Sequence, residues 1–261
     1  MSTVDVTDRA AIARELRSLR ADAVINCAGK TGTPNVDWCE SHPFETHRSN
    51  VVGALVLAEE CAKAGAYMLH MGSGCIFYGP SPSPGGWLEY DFANPSAYYS
   101  RTKYAADLLL SKLPHVGIAR LRMPIDGRPG PRNLITKLAS YPKVIDVVNS
   151  VTVVDDLVAV TRALVARRAT GVFHVTNPGP MRHRDLLRLY GEIVDPGHHY
   201  ELIPEGELVT RGLATNARSN CILASPRLAE LGIAMRPIET ALRDTLVEYA
   251  RRRGPASPAQ R

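Results

Sequence analysis

The sequence predicts an α/β protein built on a doubly wound parallel sheet, followed by a small C-terminal lobe. Three observations carry this. Strand-like and helix-like segments alternate from residue 4 to about 176. The mostly apolar run at 66–71 has the length and flanks of a buried strand. Beyond 176 the pattern turns helical and loop-rich. The expected division is a core at 1–177 and a substrate lobe at 178–261, the latter ending in a helix and a disordered tail.

Taken in order, Val4-Asp5-Val6 reads as the end of a strand, and Thr7 or Asp8 caps a helix with Ile12, Leu16 and Leu19 on one face. Residues 23–27 form the next strand, which Ala28-Gly29 turns into a loop at 30–38. Pro43 suits the first turn of a long buried helix that runs to Ala64 and is ended by Gly65. After the strand at 66–71 comes a Pro/Ser/Gly loop, and Asn94-Pro95-Ser96 starts a helix continued by Tyr104, Leu108, Leu109 and Leu110. Strands at 118–121, 144–148 and 172–175 alternate with helices at 133–141 and 154–167. Amphipathic helices at 185–194 and 238–249 complete the chain, and there is no internal repeat.

Composition narrows the function classes. The 261 residues are 45% hydrophobic, as in a globular protein, and the net charge of +5 is spread along the chain. The one basic run, Arg251-Arg252-Arg253, reads as a solvated helix end rather than a nucleic-acid site. The five cysteines are an odd number with no C-x-x-C pair, which argues against a disulfide framework or structural zinc and for a reducing cytoplasm. No signal peptide appears, and the longest apolar-rich stretch, 51–58, is too short to span a bilayer.

The chemistry gathers between Leu69 and Lys103. Ser73 sits just past the carboxyl end of the predicted strand, where open α/β sheets bind ligands. Tyr99 and Lys103 are four residues apart and share a helix face. A hydroxyl to hold a carbonyl oxygen, a phenol to deliver a proton and an ammonium to lower the phenol's pKa together suit carbonyl reduction.

These segments resemble a known family. They include Asn26-Cys27-Ala28-Gly29-Lys30-Thr31-Gly32, Asn35-Val36-Asp37-Trp38-Cys39-Glu40-Ser41-His42, Gly74-Cys75-Ile76-Phe77, Tyr99-Ser100-Arg101-Thr102-Lys103, Arg122-Met123-Pro124-Ile125, Pro131-Arg132-Asn133-Leu134-Ile135-Thr136-Lys137, Thr176-Asn177-Pro178-Gly179 and Arg218-Ser219-Asn220. In order and spacing the chain resembles an extended short-chain dehydrogenase/reductase of the dTDP-4-dehydrorhamnose reductase type, especially the plant-type 3,5-epimerase/4-reductases of nucleotide-linked rhamnose. The resemblance implies a Rossmann-type core and NAD(P)H-dependent reduction, with 3,5-epimerisation, of a nucleotide-linked 4-keto-6-deoxy sugar. Ser73, in place of the family's usual Thr, Tyr99 and Lys103 match its reductase triad, and Cys75 with Lys137 matches an epimerase acid/base pair. Cys27, Ala28, Gly29, Asn50, Tyr99, Lys103 and Arg122 fall where the family holds NADP or NAD. Cys75 also fits a small buried core residue, and Lys137 a solvated one.

One departure is large. The family opens with a strand, a Gly-x-x-Gly-x-x-Gly turn and a helix whose N-terminus binds the cofactor pyrophosphate. By this resemblance the sheet lacks its first two strands, and the strand at 23–27 loses its neighbour. Either the true start lies upstream, or a second copy or partner chain completes the sheet. The alternative function is a non-catalytic regulatory or binding protein on the same fold.

Overall fold

The computed structural model describes residues 2–33, 35–215 and 218–254; the tail expected to be disordered, 255–261, lies outside the described residues. The chain opens on a turn, not on the strand read at residues 4–6. Asp5 Oδ1 accepts both the Thr7 N–H and the Thr7 hydroxyl at 2.8 Å, and such local bonding competes with extended pairing. Asp8 then caps α1 (Arg9–Leu19) by accepting the Ala11 N–H at 2.9 Å. Ile12 and Leu16 are buried, but Leu19, expected on the same face, is exposed at the helix end.

β1 (Ala23–Asn26) leads through a loop to the short helices α2 (Trp38–Ser41) and α3 (Pro43–His47). The long helix expected from Pro43 is one rod in three pieces: α3, a π-helical turn at Arg48–Gly53 and α4 (Ala54–Lys63). The π-turn presents Asn50 inward, and Gly53 is needed beside it because a Cβ there would meet Val6 Cγ2 at 2.5 Å. β2 (Tyr67–Ser73) ends in a 3₁₀ turn at Gly74–Ile76. α5 (Tyr98–Leu110) starts later than Asn94-Pro95-Ser96 suggests. Asn94 is spent elsewhere, accepting the Tyr78 N–H at 2.8 Å and donating to the Tyr78 carbonyl at 2.9 Å. The helix start is served instead by Glu40 of α2, whose Oε1 accepts the Tyr98 N–H at 2.8 Å, a carboxylate at the positive end of a helix. Leu110 is buried, whereas Leu108 and Leu109 face outward.

β3 (Val116–Leu121) continues the sheet and is followed by β4 (Pro124–Ile125), α6 (Leu134–Ser140), β5 (Lys143–Ile145), β6 (Val148–Asn149), β7 (Thr152–Val153), α7 (Val154–Ala166) and β8 (Gly171–Val175). The main sheet is parallel throughout, in the order β1-β2-β3-β8, with β1 and β8 as its edges. Helices cover both faces. Ile12 and Leu16 of α1, Leu57 and Ala58 of α4 and Ala106 and Leu110 of α5 pack on Met68 and Ile118. Val160 and Leu164 of α7 pack on Leu69, Ala119 and Phe173 of the other face. The period-two alternation of Met68 and Leu69 divides the two cores, as a strand buried on both sides requires.

The remaining elements are β9 (Met181–Arg182), α8 (His183–Ile193), β10 (Glu201–Ile203), α9 (Glu207–Thr210), α10 (Pro226–Glu230) and α11 (Ile238–Arg253). Leu186, Leu187 and Tyr190 of α8 meet Leu242, Leu246 and Tyr249 of α11 in a separate core that also takes Ile135 and Leu138 of α6. Two-stranded pairings, β5 with β10 and β6 with β9, tie residues beyond 178 to segments before it. Among the described residues no helix is long and apolar enough to cross a membrane.

Buried imidazoles, His174 and His70 foremost, make stability depend on pH. His174 is sandwiched between the Ala224 carbonyl, 2.9 Å from Nδ1, and Arg120, 3.2 Å from Nε2. Burial, then the Arg120 charge, lower its pKa to about 3. Burial likewise pushes His70 well below the usual imidazole range. The unfolded rings titrate near 6.5. Above that pH both states are neutral and the full stability is present. As pH falls from 6.5 the unfolded chain takes up protons that the folded chain refuses, so His174 alone costs about 2 kcal/mol by pH 5. Urea melts at pH 7.5 and 5.0 should show this loss, and His174→Gln should shrink it. Equal stability at the two pH values would mean that both rings are protonated in the fold.

Candidate active site

The site forms where β1 and β2 end. Ser73, the last residue of β2, is buried, and its Oγ accepts the Cys75 N–H at 3.1 Å as the 3₁₀ turn begins. The hydroxyl hydrogen of Ser73 is thereby left to donate. Gly74 cannot be replaced without movement, because a Cβ there would lie 2.5 Å from Leu223 Cδ1. That turn carries the half-buried Cys75 to the surface of the site.

Tyr99 and Lys103 lie one turn apart on α5, as expected. The Tyr99 phenol stands near the Ser73 hydroxyl; burial and the nearby Cys75 push it above the usual range, and Ser73 offsets only part of that. The proton is therefore held firmly at rest, which is the state a general acid needs. Lys103 reaches back into β2. Its Nζ donates to the Met71 carbonyl at 2.8 Å and lies 3.0 Å from His70 Nε2, with no hydrogen bond to the Tyr99 phenol among the described residues.

Cys75 has a partner that its sequence neighbourhood does not reveal. Arg122, just beyond β3, is buried, and its Nη1 lies 2.9 Å from Cys75 Sγ. Nη2 donates to Asn149 Oδ1 at 2.5 Å and to the Ser219 carbonyl. The structure thus sets the Arg122 guanidinium against the Cys75 sulfur. Lys137 stands on the last turn of α6, half-buried, and its Nζ makes no hydrogen bond or ion pair among the described residues.

Cys27, Ala28 and Gly29 leave the end of β1 with Cys27 and Gly29 exposed. Burial of part of its surface still pushes the Cys27 thiol up. Asn50 staples this loop: Oδ1 accepts the Lys30 N–H at 2.6 Å, and Nδ2 donates to the Lys30 carbonyl at 3.0 Å and to Thr102 Oγ1 at 3.1 Å. One buried amide thus connects the π-turn, the β1 loop and the Tyr/Lys helix.

A return of the chain from the C-terminal part covers the site. Arg218 forks onto Asp37 at 2.6 and 2.9 Å. Burial works to raise the Asp37 carboxyl, but Arg218 and the Thr215 N–H outweigh it and hold the group below its usual range. Ser219 donates to the Phe77 carbonyl at 2.5 Å, and Asn149 Nδ2 meets Asn220 Oδ1 at 3.0 Å. The segments around Asp37 and Ser219, 182 positions apart by number, are thus one wall of the site. Sequence reading missed Asn26, His70 and Asn149. The available signal for His70 was an imidazole inside an apolar strand three residues before Ser73.

Known proteins share this arrangement of sequence. Residues 1–193 match the family described as RmlD substrate binding domain. Over 195 residues the chain is 41% identical to an Arabidopsis thaliana protein, the bifunctional dTDP-4-dehydrorhamnose 3,5-epimerase/dTDP-4-dehydrorhamnose reductase, covering 72% of this chain and 65% of the plant protein. The chain therefore spans just under two thirds of that relative's length. The L780 UDP-rhamnose synthase of Acanthamoeba polyphaga mimivirus, 29% identical, superposes with a TM-score of 0.87 over 95% of this chain and 89% of that one. The dTDP-4-dehydrorhamnose reductase of Bacillus anthracis, solved with NADP and 20% identical, has the same fold, with a TM-score of 0.78 over 94% of this chain and 87% of that one.

Proposed function

The chain belongs to the RmlD substrate binding domain family, and from that membership we propose that it reduces, and epimerises at C3 and C5, a nucleotide-linked 4-keto-6-deoxy sugar with NADP(H) or NAD(H). The observation that carries this is the convergence of Ser73, Tyr99 and Cys75: both Ser73 and Cys75 lie near the Tyr99 phenol, and the Cys75 N–H is held by the Ser73 hydroxyl.

The residues at the end of β1 would hold the nicotinamide and its ribose. Cys27 and Gly29 are exposed there beside the half-buried Ala28, Asn50 holds their loop against α5, and Tyr99 and Lys103 stand on that helix. The cofactor, when bound, supplies a hydride to C4. Ser73 donates its free hydroxyl hydrogen to the C4 carbonyl oxygen, and Tyr99 delivers its proton to that oxygen as C4 is reduced. Before reduction, the ketone acidifies the hydrogens at C3 and C5. At each of these carbons Cys75 takes the proton from one face of the ring and Lys137 returns one to the other, so that the pair together inverts that carbon. Arg122 steadies the sulfur from behind. Residues 178–261 supply the nucleotide-sugar side, with Arg218–Ser219–Asn220 drawn across it.

The pyrophosphate is less well served. β1 runs into Cys27 and then the four-residue α2, not into a glycine-rich turn that opens a long helix. We expect the 261-residue chain to bind NADPH with a dissociation constant of roughly 1 mM or weaker, a few kcal/mol short of a typical cofactor site. Titration of NADPH fluorescence checks this. Micromolar binding by a monodisperse monomer would mean that other residues hold the phosphates. β1 is a sheet edge with Ile25 46% exposed, so a further strand, from an upstream segment, a second copy or another chain, belongs there. If the cofactor fails to bind even at saturating concentration, a regulatory or binding role on the same fold takes its place. Five free thiols suit a reducing, cytoplasmic setting.

A further inference from the structure

On the reductase reading Lys103 carries a positive charge beside Tyr99. The hydrogen bonds around it favour the opposite state at rest. Lys103 Nζ is buried between the Met71 carbonyl, 2.8 Å away, and His70 Nε2, 3.0 Å away. The other ring nitrogen, His70 Nδ1, lies 3.0 Å from Asn26 Nδ2. The Asn26 amide has one orientation available, because its Oδ1 accepts the Ala28 backbone N–H at 3.0 Å, and that group can only donate. Asn26 therefore turns its NH₂ toward His70, and Nδ1 must accept.

Neutral imidazole has a single N–H. With Nδ1 accepting, that hydrogen sits on Nε2 and points at Lys103. An ammonium has no lone pair, so it would set two N–H groups head to head in a dry interior. A neutral amine accepts the Nε2–H through its lone pair and donates its own N–H to Met71. Every polar group from Ala28 to Met71 is then matched.

We propose that Asn26 and His70 are positioning residues that hold Lys103 as an uncharged amine in the chain without cofactor. The groups packed around Lys103 agree with this. From β1 comes only the uncharged Asn26. Asp107, one turn further along α5, is spent through Oδ2 on Arg120 of β3 at 2.8 Å, and its Oδ1 meets no donor among the described residues. Beyond that self-neutralised pair lies His174 of β8, which is uncharged at neutral pH. Tyr99, Ser73 and Cys75 complete the surroundings. Burial lowers the Lys103 pKa, and Asp107 restores only part of it. One consequence rests on the reductase reading: the charge that assists Tyr99 is gained only when Lys103 takes up a proton, so reduction should weaken as pH rises through an ionisation below the usual lysine range.

The charge state is measurable without substrate or cofactor, so its failure and that of the reductase reading are separable. The chain has six lysines, and the NMR signals of their side-chain Cε and Nζ distinguish amine from ammonium. Lys103→Met identifies the Lys103 signal. We expect it at the amine position at pH 7, where the other five give ammonium signals. Asn26→Asp inverts the chain of bonds: the carboxylate still accepts the Ala28 N–H but now also accepts from His70 Nδ1. The Nε2 lone pair then faces Lys103, which should return to the ammonium position. An ammonium signal in the unaltered chain at pH 7 overturns the proposal, and that spectrum decides alone if Asn26→Asp does not fold.

Discussion

Tyr99→Phe lowers the rate of ketone reduction by about 10²- to 10⁴-fold, the range that a positioned general acid contributes. On the proposed mechanism no other group is placed to protonate the C4 oxygen. Ser73 can hold that oxygen, but it is a far weaker acid than a phenol. The high pKa of Tyr99, set by burial and by Cys75, keeps the proton in place until the substrate's oxygen gains negative charge. The substitution removes one oxygen and leaves the ring packed on α5, so the folded chain should melt within about 1 kcal/mol of the original. Single-turnover NADPH oxidation at saturating cofactor measures the chemistry, and a parallel urea melt measures the fold. Turnover at the unaltered rate would remove Tyr99 from the mechanism.

Cys75→Ser separates the two reactions. A serine hydroxyl ionises far less readily than a thiol and so offers far less of the anion that takes the proton, so exchange at C3 and C5 should fall by about 10²-fold or more. Reduction should fall less, because Ser73, Tyr99 and the Cys75 backbone N–H that orients Ser73 are all retained. Mass spectrometry of substrate incubated in deuterated water reads the exchange without any reduction. Unchanged incorporation would return Cys75 to the role of a small packed residue, with Arg122 left as a structural donor.

The sheet was legible because its strands are short apolar runs buried on both faces, and the doubly wound expectation is borne out by helices on both sides of β2 and β3. The family resemblance, carried by ordered motifs across the chain, is borne out by the matched family and its relatives. Local competition was harder to read. Asp5 and Thr7 made a turn from valines that suggested a strand, and Asn94 pinned Tyr78 where it suggested a helix cap. Leu108 and Leu109 kept their apolar character but faced outward. Longest in range, and least visible in the sequence, were the bonds that build the site: Arg122 on Cys75, Asp37 on Arg218, and the line from Asn26 through His70 to Lys103. Each joins segments at least 33 positions apart by number, and no spacing rule links them.

We expect this chain to carry out both epimerisation and reduction on a nucleotide-linked 4-keto-6-deoxy sugar. The direct measurement incubates the chain with such a substrate, in deuterated water and at several times the roughly 1 mM dissociation constant expected for NADPH, and analyses the product. The prediction is one NADPH oxidised per sugar reduced, with solvent deuterium at C3 and C5 of a 6-deoxy-L-sugar nucleotide, and loss of reduction alone in Tyr99→Phe. A folded chain that binds NADPH under these conditions, yet neither oxidises it nor exchanges deuterium into the substrate, would contradict the claim.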